Sequence, residues 1–258
     1  MQTPDTPTPA IDQHNAEIHE NLRYWQRKPL LQQQYQHFYK EIAHALDGIP
    51  SAPVLECGSG IGNIKSVLPE AITSDIFPNP WLDRQENVYA LNYPDSSLGG
   101  IVLFDVFHHL EYPGTALDEL ARVLKPGGRV VIFEPAAGLL GRIILGIFHH
   151  EPLGLNKPIT LRAPTDFNPS EIHYYAAQGN AWRIFSDSKY NSAFARWKHP
   201  PAQYYPALGW LLTGGFRGPS LCPPKCAPLV KAIDCALSLA PSFFASRMLV
   251  VLEKTSRT

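Results

Sequence analysis

The first chemically suggestive string is V-L-E-C-G-S-G-I-G-N, from Val54 to Asn63. A short apolar strand that runs into glycines lets the backbone pass close to a ligand, and a following helix would aim its N-terminal amides there. A dinucleotide site needs Gly-x-Gly-x-x-Gly, because its third glycine permits close helix–strand packing. Here Gly58 and Gly60 are followed by Gly62 and then Asn63, so that pattern fails at its last position. His108 and His109, in F-D-V-F-H-H-L, follow an apolar run at the place where open α/β sheets hold ligands, and either ring is a candidate general base near neutral pH. His149-His150-Glu151 has the residue types of a metal site. Adjacent histidines rarely converge on one ion without a third partner, and none is evident, so no metal is expected and these residues read as the border of a substrate pocket after the fifth strand. Cys222 and Cys226 enclose only Pro-Pro-Lys, so these two, with Cys57 and Cys235, read as reduced thiols.

These residues need a scaffold, and 258 residues with 45% hydrophobic content suffice for one sizeable α/β domain carrying an insertion. A net charge of −1 without a Lys/Arg block makes nucleic acid an unexpected partner. No basic-flanked apolar leader and no apolar run of about 20 residues is present, so a cytoplasmic chain without stable membrane insertion is expected. Residues 1–12 read as a tail. Apolar residues then recur at three- and four-residue steps from Ile18 to Leu46, broken into two helices at Pro29, a helical cap over 13–50. Strands are expected at Pro53–Glu56, Ala71–Asp75, Val88–Leu91, Gly100–Asp105 and Arg129–Glu134, with a helix over Thr115–Leu124. After a core spanning 51–136, the region 137–212 reads as a short apolar helix, assigned to core packing, and an acceptor-side insertion rich in Pro, Tyr, Trp and His. Gly214-Gly215 is expected to start a return to the sheet over 213–258, with a helix from Leu229 and a closing strand over Ser246–Glu253.

The run Glu56-x-Gly58-x-Gly60-x-Gly62 resembles motif I of the class I S-adenosylmethionine (SAM)-dependent methyltransferases, type 11-like members in particular. Asp75, 17 residues after Gly58, stands where that family sets an acid against the ribose hydroxyls. A-L-N-Y-P-D-S-S-L-G-G-I-V, from Ala90, resembles the family's Leu-Pro-Phe-x-Asp-x-Ser-Phe-Asp run but departs from it at Asn92, Leu98 and Gly99. L-K-P-G-G-R-V-V-I-F-E-P, from Leu124 to Pro135, is similar to its signature before the fifth strand. The resemblance spans roughly Pro53 to Pro135. It implies a Rossmann-like, seven-stranded, mostly parallel sheet with helices on both faces, N-terminal helices and an insertion before the last strands. It also implies a SAM cofactor contacted by Glu56, Gly58, Ser59, Gly60, Gly62, Asp75, Ile76, Asn87 and Asp105.

Methyl transfer from a sulfonium is an in-line displacement on an activated carbon, so the protein has mainly to position two reactants and exclude water. A base matters only for an acceptor that must lose a proton. His108 and His109 are the candidates, the alternative being that they pack beneath the cofactor or bond backbone. The family's Asn/Asp-Pro-Pro-Tyr/Phe run for base methylation is absent after the fourth strand, which reads Asp-Val-Phe-His. The expected acceptor is a small molecule or biosynthetic intermediate, such as a glycan or lipid precursor; the alternative is a non-catalytic SAM-binding subunit. Arg23-Tyr24-Trp25 and Lys28 either form a lid or anchor the first helix. Tyr174, Tyr175, Trp182, Tyr190, Trp197, Tyr204 and Tyr205 either line an acceptor pocket or form the insertion's own core.

Overall fold

In the computed structural model the described residues are 8–148, 151–171, 175–206 and 208–255. Two N-terminal helices, α1 (Thr8–Arg27) and α2 (Pro29–Ala45), are separated at Lys28, and Pro29 sits in the first turn of α2, where its missing N–H costs nothing. Helix α1 begins inside the stretch read as a tail; residues 1–7 lie outside the described residues.

Eight strands form one sheet: β1 (Val54–Cys57), β2 (Ile72–Asp75), β3 (Arg84–Gln85), β4 (Leu98–Phe104), β5 (Leu124–Pro135), β6 (Trp197–Lys198), β7 (Gln203–Tyr205) and β8 (Arg247–Lys254). Their order is β3-β2-β1-β4-β5-β8-β6, with β7 also paired to β8. The run from β3 to β5 is parallel, and β8 lies antiparallel to β5 with Arg247 opposite Pro135. The eighth strand arises because the insertion returns two short strands to the same edge, both antiparallel to β8. Val88–Leu91 is not a strand. Asn87 closes a turn there, accepting from the Ala90 amide at 2.9 Å, and the sheet edge is Arg84–Gln85 instead.

Alternation along the central strands divides the core into two layers. Val102 and Phe104 of β4 and Val131 and Phe133 of β5 face α2, meeting Phe38, Tyr39 and Ile42. Ile101, Leu103, Val130 and Ile132 face the other way, against α3 (Pro113–Val123) and the insertion. Tyr190 and Trp197 are buried in that second layer, and Trp182 and Tyr204 pack on it. Those aromatics are therefore core of the insertion. Tyr174 lies outside the described residues.

Helix α4 (Leu139–Phe148) packs through Gly141, which fits against the Ala136 and Ala245 carbonyls, while Leu139 and Ile143 are exposed. The insertion also holds α5 (Asn180–Ser186). Gly214-Gly215 does not start a strand. It is a turn after α6 (Leu208–Leu212), and Lys28 donates to the carbonyls of Gly215 (2.6 Å) and Gly218, tying the N-terminal helices to it. Two further helices, α7 (Ala227–Leu237) and α8 (Pro241–Phe244), lead into β8.

Phe133 is fully buried among Phe38, Phe104 and Tyr205, with ring centroids 4.7, 5.0 and 5.7 Å away. Phe133→Ala should lower unfolding stability by about 3–5 kcal/mol through lost burial and the cavity left behind, read as a reduced urea midpoint at constant m-value.

Candidate active site

Strand order reverses between β1 and β4, and ligands of open α/β sheets sit at the carboxyl ends beside such a point. At the end of β1 the chain turns through Gly58, whose φ is +72°; a Cβ there would lie 2.3 Å from Val106 Cγ2, so only glycine fits. The turn is stitched to β2, since the Ser59 amide donates to the Ser74 carbonyl at 2.8 Å and the Ser59 hydroxyl accepts from the Ser74 amide at 3.1 Å. After Gly62 comes only a single 3-10 turn, Asn63–Ser66. The expected helix with its N-terminal amides aimed at a ligand is replaced here by that turn; Gly62 itself is left-handed, and the chain returns to β2. The indole N–H of Trp81 donates to the Gly60 carbonyl at 3.0 Å, and His19 of α1 meets the Trp81 ring edge-on at 4.7 Å. Helix α1 thus roofs the glycine turn, while Trp25 anchors it by an edge contact with Tyr35.

The structure brings Glu56, Ser59, Gly60, Asp75 and Ile76 together around this turn. Asp75 is buried and accepts from the amides of Ile76 (2.7 Å) and Gly60 (3.3 Å). Asn87 is committed elsewhere: its amide donates to the Pro169 carbonyl at 2.6 Å and accepts from the Tyr89 amide at 3.0 Å, pinning the insertion to the sheet edge. Asp105, at φ 56° just beyond β4, pairs with the buried Arg247 guanidinium, which lies 4.8 Å above the Trp210 ring.

A second constellation joins strand ends to the insertion. Glu134, fully buried at the end of β5, accepts from the amides of Val106 (2.8 Å) and Phe107 (2.6 Å) and bonds His108 Nδ1 at 2.6 Å. His109 Nδ1 donates to the Tyr175 carbonyl at 2.8 Å. Both Nε2 atoms face Glu151, at 3.4 Å from His108 and 3.5 Å from His109. Burial alone would lower the His108 pKa, but the Glu134 carboxylate, helped by Glu151 and Asp105, raises it to about 10. The His109 pKa is lowered, by burial first and then by His108. Glu151 does meet two histidines, but they are His108 and His109; His149 and His150 lie outside the described residues.

Residues 55–132 match a family described as a methyltransferase domain. Over that stretch the chain carries a methyltransferase domain, as its resemblance to the class I SAM-dependent methyltransferases implied. No curated protein sequence matches it. Solved structures share its fold at low identity. A SAM-dependent methyltransferase from Thermotoga maritima has 13% identity and a TM-score of 0.53 over 93% of this chain and 99% of that one. One from Archaeoglobus fulgidus has 13% identity and a TM-score of 0.53 over 86% and 94%. Geranyl diphosphate C-methyltransferase from Streptomyces coelicolor, solved with Mg2+, geranyl diphosphate and S-adenosyl-L-homocysteine, has 10% identity and a TM-score of 0.50 over 86% and 79%.

The cofactor of this methyltransferase is SAM, and the residues present fit it. Both carboxylate oxygens of Glu56 are buried, and neither makes a well-formed hydrogen bond among the described residues, although Ser59 and Tyr39 lie beside them. Such a group calls for a donor or a cation. Burial pushes the Glu56 pKa up to about 8; Ser59 and Tyr39 temper the rise, and Asp75 adds to it. Glu134, Gln178 and Arg247 escaped the sequence reading as site residues, whereas Glu151 was singled out beside His149 and His150. Of the three missed, only Glu134 carried a local signal, an acid at the carboxyl end of an apolar strand in F-E-P.

At pH 7 the Glu56 carboxyl of the free methyltransferase is mostly protonated, and an ammonium held against it favours the charged form. Binding SAM should therefore release close to one proton at pH 7, visible in calorimetry across buffers of different ionisation enthalpy, and progressively fewer as pH rises past about 8. Glu56→Gln should abolish the buffer dependence and weaken SAM at least tenfold. Because the folded pKa lies above the 4.5 of a free carboxyl, unfolding releases a proton between those values, and this group's contribution makes the free protein less stable as pH rises from 4.5 to about 8. Glu56→Gln should flatten that part of the stability profile.

Proposed function

We propose that this methyltransferase acts on a small molecule or biosynthetic intermediate, of the kind a glycan or lipid precursor represents, bound over the carboxyl ends of β4 and β5. The carrying observation is the His108–His109–Glu151 cluster, where two strand ends and the insertion converge and the His109 side chain keeps 36% exposure. Glu56, Gly58, Ser59, Gly60 and Gly62 hold the amino-acid end of SAM, and Asp75 and Ile76 the ribose side. Asn87 and Asp105 support the site through Pro169 and Arg247. SAM supplies a methyl group on an activated carbon.

For a hydroxyl or amide acceptor, His109 takes the proton. Its Nδ1–H is held by the Tyr175 carbonyl, which fixes the tautomer with the lone pair on Nε2, and Glu151 beside it stabilises the imidazolium. His108, held between Glu134 and Glu151, positions its neighbour. A net charge of −1, and the Asp-Val-Phe-His run after β4, favour a small acceptor over nucleic acid. No helix among the described residues is long and apolar enough to cross a membrane. The four cysteines are free thiols, which fits a reducing, cytoplasmic setting.

The test is a panel of hydroxylated, amino and phosphorylated small molecules screened for S-adenosylhomocysteine release. Turnover on a small acceptor is expected, and His109→Ala should cut kcat by about 10²–10⁴-fold while SAM still binds. Heat on SAM addition with no turnover on any acceptor would instead mark a non-catalytic SAM-binding subunit. Turnover confined to RNA or protein would overturn the acceptor class.

A further inference from the structure

We propose that His108 Nε2, His109 Nε2 and the Glu151 carboxylate form a binding site for one divalent transition-metal ion of the zinc class. The ligand atoms lie within 4.8 Å of one another, with the two His–Glu separations at 3.4 and 3.5 Å. Two ligands about 2.0–2.1 Å from a tetrahedral ion are separated by roughly 3.4 Å, the separation of His108 Nε2 from Glu151 Oε2 and of His109 Nε2 from Glu151 Oε1, and a small rotation of the carboxylate brings one oxygen to both rings. Imidazole nitrogens suit zinc and its neighbours, whereas magnesium and calcium prefer all-oxygen sites.

Three features beyond the donor set point the same way. Metal-bound histidines characteristically donate the other ring N–H to a carboxylate or carbonyl, which fixes the tautomer and raises ligand basicity. His108 does this to Glu134 at 2.6 Å and His109 to the Tyr175 carbonyl at 2.8 Å, so both rings already turn Nε2 inward. The Glu134 carboxylate is itself fixed by two backbone amides. Finally, the Gln178 amide sits on the cluster, with Nε2 3.1 Å from His108 Nε2 and donating to the Glu151 carboxylate, while its Oε1 is buried and has no partner among the described residues. Turning that amide over brings a neutral oxygen to the cluster, the group a cation asks for.

The convergence is made by tertiary pairing. The single 3-10 turn Phe107–His109 carries both rings. The amides of Gln178 and Gly179 donate to the carbonyls of Pro152 and Leu153, at 3.1 and 2.8 Å, which brings Glu151 and Gln178 to the rings together. Two histidines and one glutamate form the donor set of catalytic zinc sites, which keep a further position for water or substrate. With the ion bound, His109 Nε2 is a ligand, so the base role proposed above belongs to the metal-free protein. The site uses the cluster of the proposed function, but metal binding is measured without SAM or acceptor and stands or falls apart from methyl transfer.

The experiment uses the full chain after exhaustive chelation. Zinc is titrated in competition with a chromogenic chelator, and metal content is read by mass spectrometry. One ion per chain with submicromolar affinity is expected, undisturbed by excess magnesium. Glu134→Gln should weaken it about 10–100-fold, the usual effect of losing an outer partner, and His109→Ala and Glu151→Gln by more. Cys222→Ser with Cys226→Ser should leave it intact. Cobalt(II) on the unaltered protein should give visible d–d absorption without a thiolate charge-transfer band, which decides the ligand set even where a variant fails to fold. Millimolar affinity, a thiolate band, loss of the ion with the cysteines, or its retention in both His109→Ala and Glu151→Gln would each overturn the site.

Discussion

The carboxylate of Glu134 is fully buried at the end of β5, and three neighbours share it: the Val106 amide, the Phe107 amide and the His108 ring. A buried charge without such partners would be strongly unfavourable, so the segment after β4 must close over it in one particular way. That closure sets Val106 against Gly58 and turns His108 and His109 towards the insertion. The cofactor turn and the ionisable cluster therefore share one anchor. A change at Glu134 would be felt at both.

A second constraint acts from the opposite edge. Strand β8 runs back along β5, and its first residue, Arg247, reaches Asp105 at the end of β4. Asp105 holds a left-handed backbone, which an aspartate tolerates better than most residues, and its carboxylate meets the guanidinium beneath the Trp210 ring. Burial alone would lower the Arg247 pKa, but Asp105 and its other neighbours raise it, so the buried guanidinium stays charged. The N-terminal helices are attached to the same side of the molecule, through the grip of Lys28 on the Gly215 and Gly218 carbonyls and through Tyr35, which stacks on Phe104 at 5.3 Å. The roof over the glycine turn thus depends on contacts with a segment nearly 200 residues later in the chain.

The insertion does two jobs with different residues. Its aromatics, Tyr190 and Trp197 among them, fill the second core layer, where their bulk substitutes for the helix packing that a longer element would provide. Its polar residues, Glu151 and Gln178, are delivered to the strand ends by backbone pairing around Pro152 and Leu153. Asn87, placed by resemblance among cofactor contacts, turns out to fasten this insertion through the Pro169 carbonyl.

The sequence by itself determined the parallel core, the break at Pro29 and the glycine turn, because each rests on local physics: continuous apolar runs, a fixed φ, and positive φ at Gly58 and Gly62. It misplaced the strand at Val88–Leu91, where an apolar run was outcompeted by the turn closed at Asn87, and it promised a helix after Gly62 that the fold replaces with one 3-10 turn. The aromatics of the insertion could not be sorted from sequence, since bulk and apolarity suit a pocket wall and a core equally. Only the tertiary structure brought Glu151 to His108 and His109, and Arg247 to Asp105. Those partners are 42 or more residues apart, with no periodic pattern linking them, and side-chain charge meets across such distances only where strand ends and loops are already held in place.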